Sequence, residues 1–302
     1  MADLCLGEPI DVRQTYTYRG QLIDRTIPGI CTHEVPTGLS THSQMTTEAA
    51  TAELTEHGTA LEVSSLSQIS WYEYQQKVTF DDHGQIDVAL GATGDLAPGS
   101  PGSPFFGTDP ATGWPVGSPI EGQDYFAASH WHNAIYRVDF GIDEATHQDV
   151  ERWDYSSTEQ PQGLVVNGVK SHESQAFSSI PSEDHDELAW WRVLNPDSPN
   201  RDGHPRSYEI VNQSMTDRFY AVTQPSVSFT NANPCQEYST DNLHPGCPGQ
   251  SILDYVAHDD APLTDPVGWV NVGFHHIVRD EDQSPMPIHW QRFQPCPATS
   301  SP

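Results

Sequence analysis

At 302 residues the chain is long enough to bury a sizeable core, and its 35% hydrophobic and 10% aromatic content excludes a disordered polymer. A net charge of −29, from 42 acidic against 13 basic residues, argues against nucleic acid and anionic membranes as partners and favours cations, protonated amines among them. The same acidity fits a surface adapted to high salt, with Lys77 and Lys170 as the only lysines.

Frequent Pro and Gly, with no long stretch of helical periodicity, predict an all-β fold of many short strands joined by turns. Taken in chain order, strand-like runs fall at residues 12–23 and 29–34. Residues 45–61, rich in Thr, Glu and Ala, read as a helix or equally as a polar loop. Strands are expected at 61–70, 71–80 and 85–90, with Asp81-Asp82-His83-Gly84 as a hairpin turn because Gly84 tolerates positive φ. Residues 94–123, rich in Gly, Pro and Ser, predict a long loop of the kind that is usually functional or disordered. Strands resume over 128–140 and continue, broken by turns, to about residue 294. No break in composition marks a second domain, so residues 1–302 read as one domain.

No apolar run is long enough to span a bilayer as a helix. The opening Met-Ala-Asp-Leu-Cys lacks the basic and apolar regions of a signal peptide, so the expectation is a cytoplasmic protein by default. Five cysteines allow at most two bridges, and none forms a CxxC pair, which argues against a zinc or thiol-redox motif.

Among 15 histidines one arrangement carries chemistry: Ser129-His130-Trp131-His132-Asn133. On a strand, residues i and i+2 share a face, so His130 and His132 can offer two imidazoles to one ion. Two polar residues on a solvated face would look the same, and a third ligand has to come from elsewhere. The strand-like Phe274-His275-His276-Ile277 is the source of that third ligand. Three imidazoles with open positions suit Cu(II) or Zn(II), and spacing alone does not choose between them.

With these residues in view, the sequence resembles the copper amine oxidase family. His130-Trp131-His132 followed by Arg137-Val138-Asp139 is similar to that family's His-x-His strand and Arg-Leu-Asp run. His275-His276-Ile277-Val278-Arg279-Asp280-Glu281-Asp282-Gln283-Ser284-Pro285-Met286-Pro287 resembles its Thr-His-Ile-Pro-Arg-x-Glu-Asp-Trp-Pro-x-Met-Pro segment, with His276 in the ligand position. Gln68-Ile69-Ser70-Trp71-Tyr72-Glu73-Tyr74, followed by Gly91-Ala92-Thr93-Gly94, resembles the Thr-x-x-Asn-Tyr-(Asp/Glu)-Tyr motif whose tyrosine becomes topaquinone. Trp191-Arg192-Val193-Leu194-Asn195-Pro196, Asn200 to Pro205 and Tyr208 look like a further family stretch, as do Cys5-Leu6-Gly7 and Ile30-Cys31-Thr32-His33-Glu34.

The resemblance implies a large antiparallel β-sandwich, the catalytic domain of a copper amine oxidase truncated at its N-terminus. It implies copper on His130, His132 and His276, and Tyr72 as the catalytic residue and the source of topaquinone, on a strand beside the copper. It implies a peripheral cation at Asp139 and Asp265, although Gly141 replaces one of that site's carboxylates. Cys5 and Cys31 are implied as a disulfide pair, and Cys235 and Cys247, separated by a loop-like run, are expected as a second. The reaction implied is that of a primary amine, O2 and water giving aldehyde, ammonia and peroxide.

Two departures stand beside it. The family's catalytic Asp and a quinone-bonding Tyr lie upstream of the Cys-Leu-Gly segment, where this sequence begins. The base is therefore expected from a partner chain or another carboxylate, in a homo- or hetero-oligomer. The Asn before the cofactor tyrosine is Trp71, which on a regular strand points to the face opposite Tyr72. The alternatives are a copper protein of the same fold that oxidises through an unmodified Tyr72, and a non-catalytic subunit.

Overall fold

The computed structural model describes residues 5–45, 50–97, 113–116, 125–128, 130–132, 134–144, 147–155, 164–168, 189–212, 227–258, 261–276, 278–279, 281–282 and 284–298. Contacts divide the chain into two compact units, Met1–Ala127 with Arg279–Trp290, and Ala128–Val278 with Gln291–Pro302. Every strand pair with a described register is antiparallel, as the turn-rich, helix-poor sequence predicts.

The first unit is a meander of β1 (Glu8–Tyr18), β2 (Gln21–Met45), β3 (Ala50–Ile69), β4 (Tyr72–Asp81) and β5 (Ile86–Gly94), each paired with the next. β6 (Gly113–Val116) and β7 (Tyr125–Ala128) pair with each other. β6 thus lies inside the stretch expected to be loop, most of which falls outside the described residues. The hairpin turn at Asp81–Gly84 forms as expected: Gly84 has φ 83°, and the Asp81 carboxylate accepts the N–H groups of His83 (2.9 Å) and Gln85 (2.8 Å). Gly91 leaves room for Ile288 and Trp290, which pack where a side chain on β5 would stand.

Two expectations are corrected in this unit. The run at 12–23 is not one strand, because Arg19 (φ 50°) and Gly20 (φ 77°) make a two-residue turn between β1 and β2. Consecutive positive φ values twist a tight turn in the sense that a hairpin needs. Residues 45–61 are neither helix nor loop in their described part: Met45 ends β2, and residues 50–61 belong to β3, paired from Met45↔Ala50 to Glu34↔Leu61. The long ladder with β2 overrides the weak helix preference of Glu and Ala, and from Ala60 onward β4 pairs on the other side as well.

The second unit begins with β8 (His130–His132) and β9 (Ile135–Asp139), followed by β10 (Asp149–Tyr155), β11 (Leu164–Gly168), β12 (Ala189–Pro199), β13 (Pro205–Asn212) and β14 (Val227–Asn231). A short helix, α1 (Ile252–His258), precedes β15 (Pro266–Asn271), β16 (Phe274–His276) and β17 (Met286–Pro297), whose residues from Gln291 onward belong to this unit. One sheet runs β17-β13-β12-β10-β11, another β14-β15-β9, and β16 pairs with β8. The first two sheets face each other. Ile210 of β13 approaches Gly268 of β15, and the Phe293 ring of β17 lies 5.6 Å from Tyr136 of β9. Val193, Ile210, Val227, Phe229, Val270 and Phe293 are buried between them, the inward-facing alternation of a β-sandwich.

The helix α1 was not anticipated. Its start is a capping arrangement in which the Asp254 carboxylate accepts both the Ser251 N–H (2.8 Å) and the Ser251 hydroxyl (2.9 Å), and Ser251-Ile252-Leu253-Asp254 was the legible signal. Ile252, Tyr255 and Val256 pack with Val267, Trp269 and Cys247. Both expected disulfides are present, Cys5–Cys31 and Cys235–Cys247, with Cα–Cα distances of 5.4 and 5.5 Å. Among the described residues no helix is long and apolar enough to cross a membrane.

Candidate metal centre

The histidines sit on an antiparallel ribbon of the second unit. β9 pairs with β15 down to Ile135↔Asn271, and the Val272 N–H donates to the Ala134 carbonyl at 2.8 Å. β8 then pairs with β16 in the register Phe274↔His132, His275↔Trp131, His276↔His130. The Asn271 side chain accepts the Gly273 N–H at 2.7 Å and shapes the passage from β15 to β16. Since residues two apart share a face and directly paired residues do so as well, His130, His132, Phe274 and His276 all stand on one side.

Their side chains converge. One ligand-type nitrogen from each of His130, His132 and His276 lies within 4.8 Å of the others. His130 Nε2 and His132 Nε2 are 2.9 Å apart, and the ring centroids of His130 and His132 lie 5.2 and 5.7 Å from that of His276. His132 and His276 are buried and His130 is partly so. Phe274 stacks on His132 with ring planes 6° apart and centroids at 4.6 Å, which fixes the imidazole's tilt. The donor set suits a transition-metal ion. Two imidazole nitrogens each at about 2.0–2.1 Å from one ion, at right angles, stand about 2.9 Å apart, the separation of His130 and His132. Three nitrogen donors with no carboxylate oxygen disfavour the hard cations Mg2+ and Ca2+.

Tyr72 belongs to the first unit and is the first residue of β4, 6% exposed, with the Tyr74 ring 6.2 Å away. Burial first, then Tyr74, and to a smaller degree Asp282, push its hydroxyl well above the ordinary tyrosine value, while a hydrogen bond with the Ala97 backbone acts the other way. The phenol is therefore protonated across the neutral range. Trp71 is not on the strand, contrary to expectation. Ile69 pairs directly with Tyr72, so Ser70 and Trp71 form the two-residue turn between β3 and β4, and Trp71 is 45% exposed.

Asp139 ends β9, is exposed, and accepts the Arg137 guanidinium at 3.3 Å. Asp265, also exposed, stands just before β15, near the point where Val267 pairs with Asp139. Neither belongs to any of the groups of three metal-ligand side chains among the described residues.

Sequence reasoning passed over Asp282. It is 0% exposed and takes hydrogen bonds from the Arg279 N–H (2.9 Å) and guanidinium (3.4 Å), with His289 Nε2 at 3.2 Å. A buried carboxylate needs such donors, and its place within Arg279-Asp280-Glu281-Asp282 was the available signal.

Comparison with known proteins follows the same line. The model of the family described as "Copper amine oxidase, enzyme domain" matches residues 11–298. The lung isozyme of primary amine oxidase from Bos taurus is 24% identical over 247 residues, covering 74% of this chain and 31% of its own length. Primary amine oxidase of Arthrobacter sp. (strain P1) is 24% identical over 250 residues, covering 77% and 37%. The chain thus spans about a third of the curated relatives that it matches. Among solved structures, a copper-containing benzylamine oxidase from Hansenula polymorpha aligns with a TM-score of 0.70 at 21% identity, covering 97% of this chain and 47% of that one. Aspergillus nidulans amine oxidase also aligns at 0.70, with 16% identity and coverage of 97% and 41%. At such identities these two structures speak for the fold.

Proposed function

Because this chain belongs to the copper amine oxidase family, matched by its enzyme-domain model over residues 11–298, we propose that residues 1–302 are the copper-holding domain of a primary-amine oxidase. The observation that carries the reading is the gathering of His130, His132 and His276 on one face of the β8–β16 pair. These three imidazoles hold copper, and the Phe274 stack keeps His132 from turning away. Tyr72 is the tyrosine converted to topaquinone. When bound, copper and the quinone supply O2 activation and an electrophilic carbonyl, so that amine, O2 and water give aldehyde, ammonia and peroxide.

The chain's own part is positional. Burial raises the Tyr72 hydroxyl above its ordinary value, so the ring stands as the neutral phenol well beyond the neutral range. The antiparallel β3–β4–β5 ladder fixes the backbone on both sides of Tyr72, at Ile69 and Gly94. A carboxylate has to take the proton from the substrate carbon. In this reading it is either another carboxylate of this protein or one from a partner chain, a second copy or a different subunit.

Aerobic loading of the purified chain with copper tests the proposal. One copper per chain, a broad visible quinone band, and a Tyr72 peptide heavier by two oxygens and lighter by two hydrogens are expected. Tyr72→Phe removes the band and keeps the metal. A chain that retains copper with Tyr72 at its unmodified mass supports the second reading, oxidation chemistry without the quinone. Trp71 in place of the family's Asn is the observation that favours that reading.

A further inference from the structure

Phe274 does more at the histidine ribbon than fill space. It pairs directly with His132 across β8 and β16 and stands two residues before His276, on the same face. Its side chain is 4% exposed and meets both buried imidazoles, stacked on His132 with planes 6° apart and tilted by 47° at 6.2 Å from His276. The His132 ring also meets that of His130, with centroids 4.7 Å apart. Rotation about the Cβ–Cγ bond of a histidine is soft, so an imidazole keeps one orientation only where its surroundings impose it. Turning the His132 ring about that bond would drive its edge into the parallel face of Phe274, 4.6 Å away between centroids. The stack therefore pins the ring plane, and with it the direction in which Nε2 points.

That direction decides which ion the site prefers. His132 Nε2 lies 2.9 Å from His130 Nε2. Two nitrogens at about 2.0–2.1 Å from one ion stand about 2.9 Å apart at a right angle, but about 3.3–3.4 Å apart at the tetrahedral angle. The pair is set for a tetragonal ion, the geometry of Cu(II), and stands too close for tetrahedral Zn(II). The backbone does not enforce this spacing, because the ladder fixes where the two residues stand and not how their rings turn. Packing has to do it, and Phe274 is the ring stacked on His132.

We propose that Phe274 is a positioning residue that sets metal selectivity: by pinning His132 it holds the His130–His132 pair at a right angle about the ion, favouring Cu(II) and penalising Zn(II). The inference rests on the reading of His130, His132 and His276 as the copper ligands, and it concerns the choice of ion at that site. Without the stack the His132 imidazole swings outward, the two nitrogens separate, and tetrahedral ions gain.

The test titrates the full chain with Cu(II) and with Zn(II), each buffered by a competing chelator, and takes the ratio of the two affinities. Phe274→Leu and Phe274→Met keep apolar bulk without the flat face, and Phe274→Tyr keeps the face. The first two are expected to lower the copper-to-zinc ratio about tenfold or more, within the range of about 10–100-fold by which partners of metal ligands act. Phe274→Tyr is expected to retain the ratio. Electron paramagnetic resonance of the Cu(II)-loaded chain reads the same change. Phe274→Leu is expected to show a smaller parallel copper hyperfine splitting, the mark of distortion towards a tetrahedron, and Phe274→Tyr the wild-type spectrum. Equal losses of both metals from folded Phe274→Leu and Phe274→Met would mean that the ring only supports the fold, and would overturn the inference. An unchanged ratio, or a Phe274→Tyr variant that behaves like Phe274→Leu, overturns it too. The two readings fail separately. A wild-type chain that takes up copper with a ratio indifferent to residue 274 sinks this inference alone, and a chain that takes up neither metal sinks the copper reading as well.

Discussion

The strands β15 and β1 are both fully paired along their length but live in opposite surroundings. Every residue of β15 is buried, whereas only two of the eleven residues of β1 are even partly covered. Backbone pairing differs in part, since β15 is a central strand laddered to β9 and β14 while β1 is an edge strand laddered to β2 alone, through one irregularity. The larger difference lies in side chains: Val267, Trp269 and Val270 are interlocked with neighbours, while Ile10, Tyr18 and the facing Leu22 point to solvent. A ladder bond contributes about 1 kcal/mol net, and a buried side chain about 1.5–3 kcal/mol. A cluster that must hold three imidazoles to within tenths of an ångström therefore belongs on the continuation of β9 and β15. The described exposed strands carry no comparable group of three histidines.

The most damaging way to probe that contrast is at the ribbon's own end. His276→Ala removes one of three nitrogens and is expected to lower copper affinity by at least on the order of 100-fold, more than the loss of an outer-shell partner. Metal content after dialysis against a chelator checks this. Retention of copper equal to the wild type would show that the ribbon is not the binding element.

Packing comes next. Phe229→Ala in β14, at 1% exposure, is expected to cost about 3–5 kcal/mol. Leu22→Ala in β2, at 75% exposure, is expected to stay within about 0.5 kcal/mol. Urea unfolding of both variants compares them, and equal costs would break the distinction between the two regions.

A bridge supplies part of what the exposed hairpin lacks in buried surface. Replacing Cys5 and Cys31 together by Ser frees the start of β1 from β2 and is expected to cost about 2–4 kcal/mol. Thermal unfolding measures the cost, and hydrogen exchange should rise first in the β1 amides. Exchange that rises instead in β15 would reverse the comparison.

The smallest effect concerns pH. Glu209 on β13 is half-buried, and burial pushes its carboxyl upward while Arg192 across the strand pair opposes the shift. A carboxyl raised in the folded state keeps its proton there better than in the unfolded chain. Its contribution therefore grows as pH falls through the folded value and is lost as pH rises. Glu209→Gln is expected to flatten that part of the melting-temperature profile between about pH 4 and 7. An unchanged slope would mean that Arg192 neutralises the site.

Strand character, the Asp81–Gly84 turn and the shared face of His130 and His132 were legible because each depends on a few adjacent residues. The helix α1 was legible in principle from Ser251 and Asp254, but seven residues are too few for periodicity to stand out. The long β2–β3 ribbon was not legible. Glu and Ala carry no strand preference, and the conformation of residues 50–59 follows from the ladder with β2.

By itself, then, the sequence determined local alternation, the Asp81–Gly84 turn, the cysteine spacing and the shared face of His130 and His132, all set by near neighbours. Tertiary structure alone decided that His276, 144 positions beyond His132, lies opposite His130. It also decided that Phe274 holds His132 in place, that Asp282 is sealed among donors, and that Trp71 stands out on a turn instead of lying in the strand. Register is the physical reason. A strand's period of two selects which residues share a face, but a partner chosen from far along the chain selects what meets them, and a shift of one residue would send His276 to the other side.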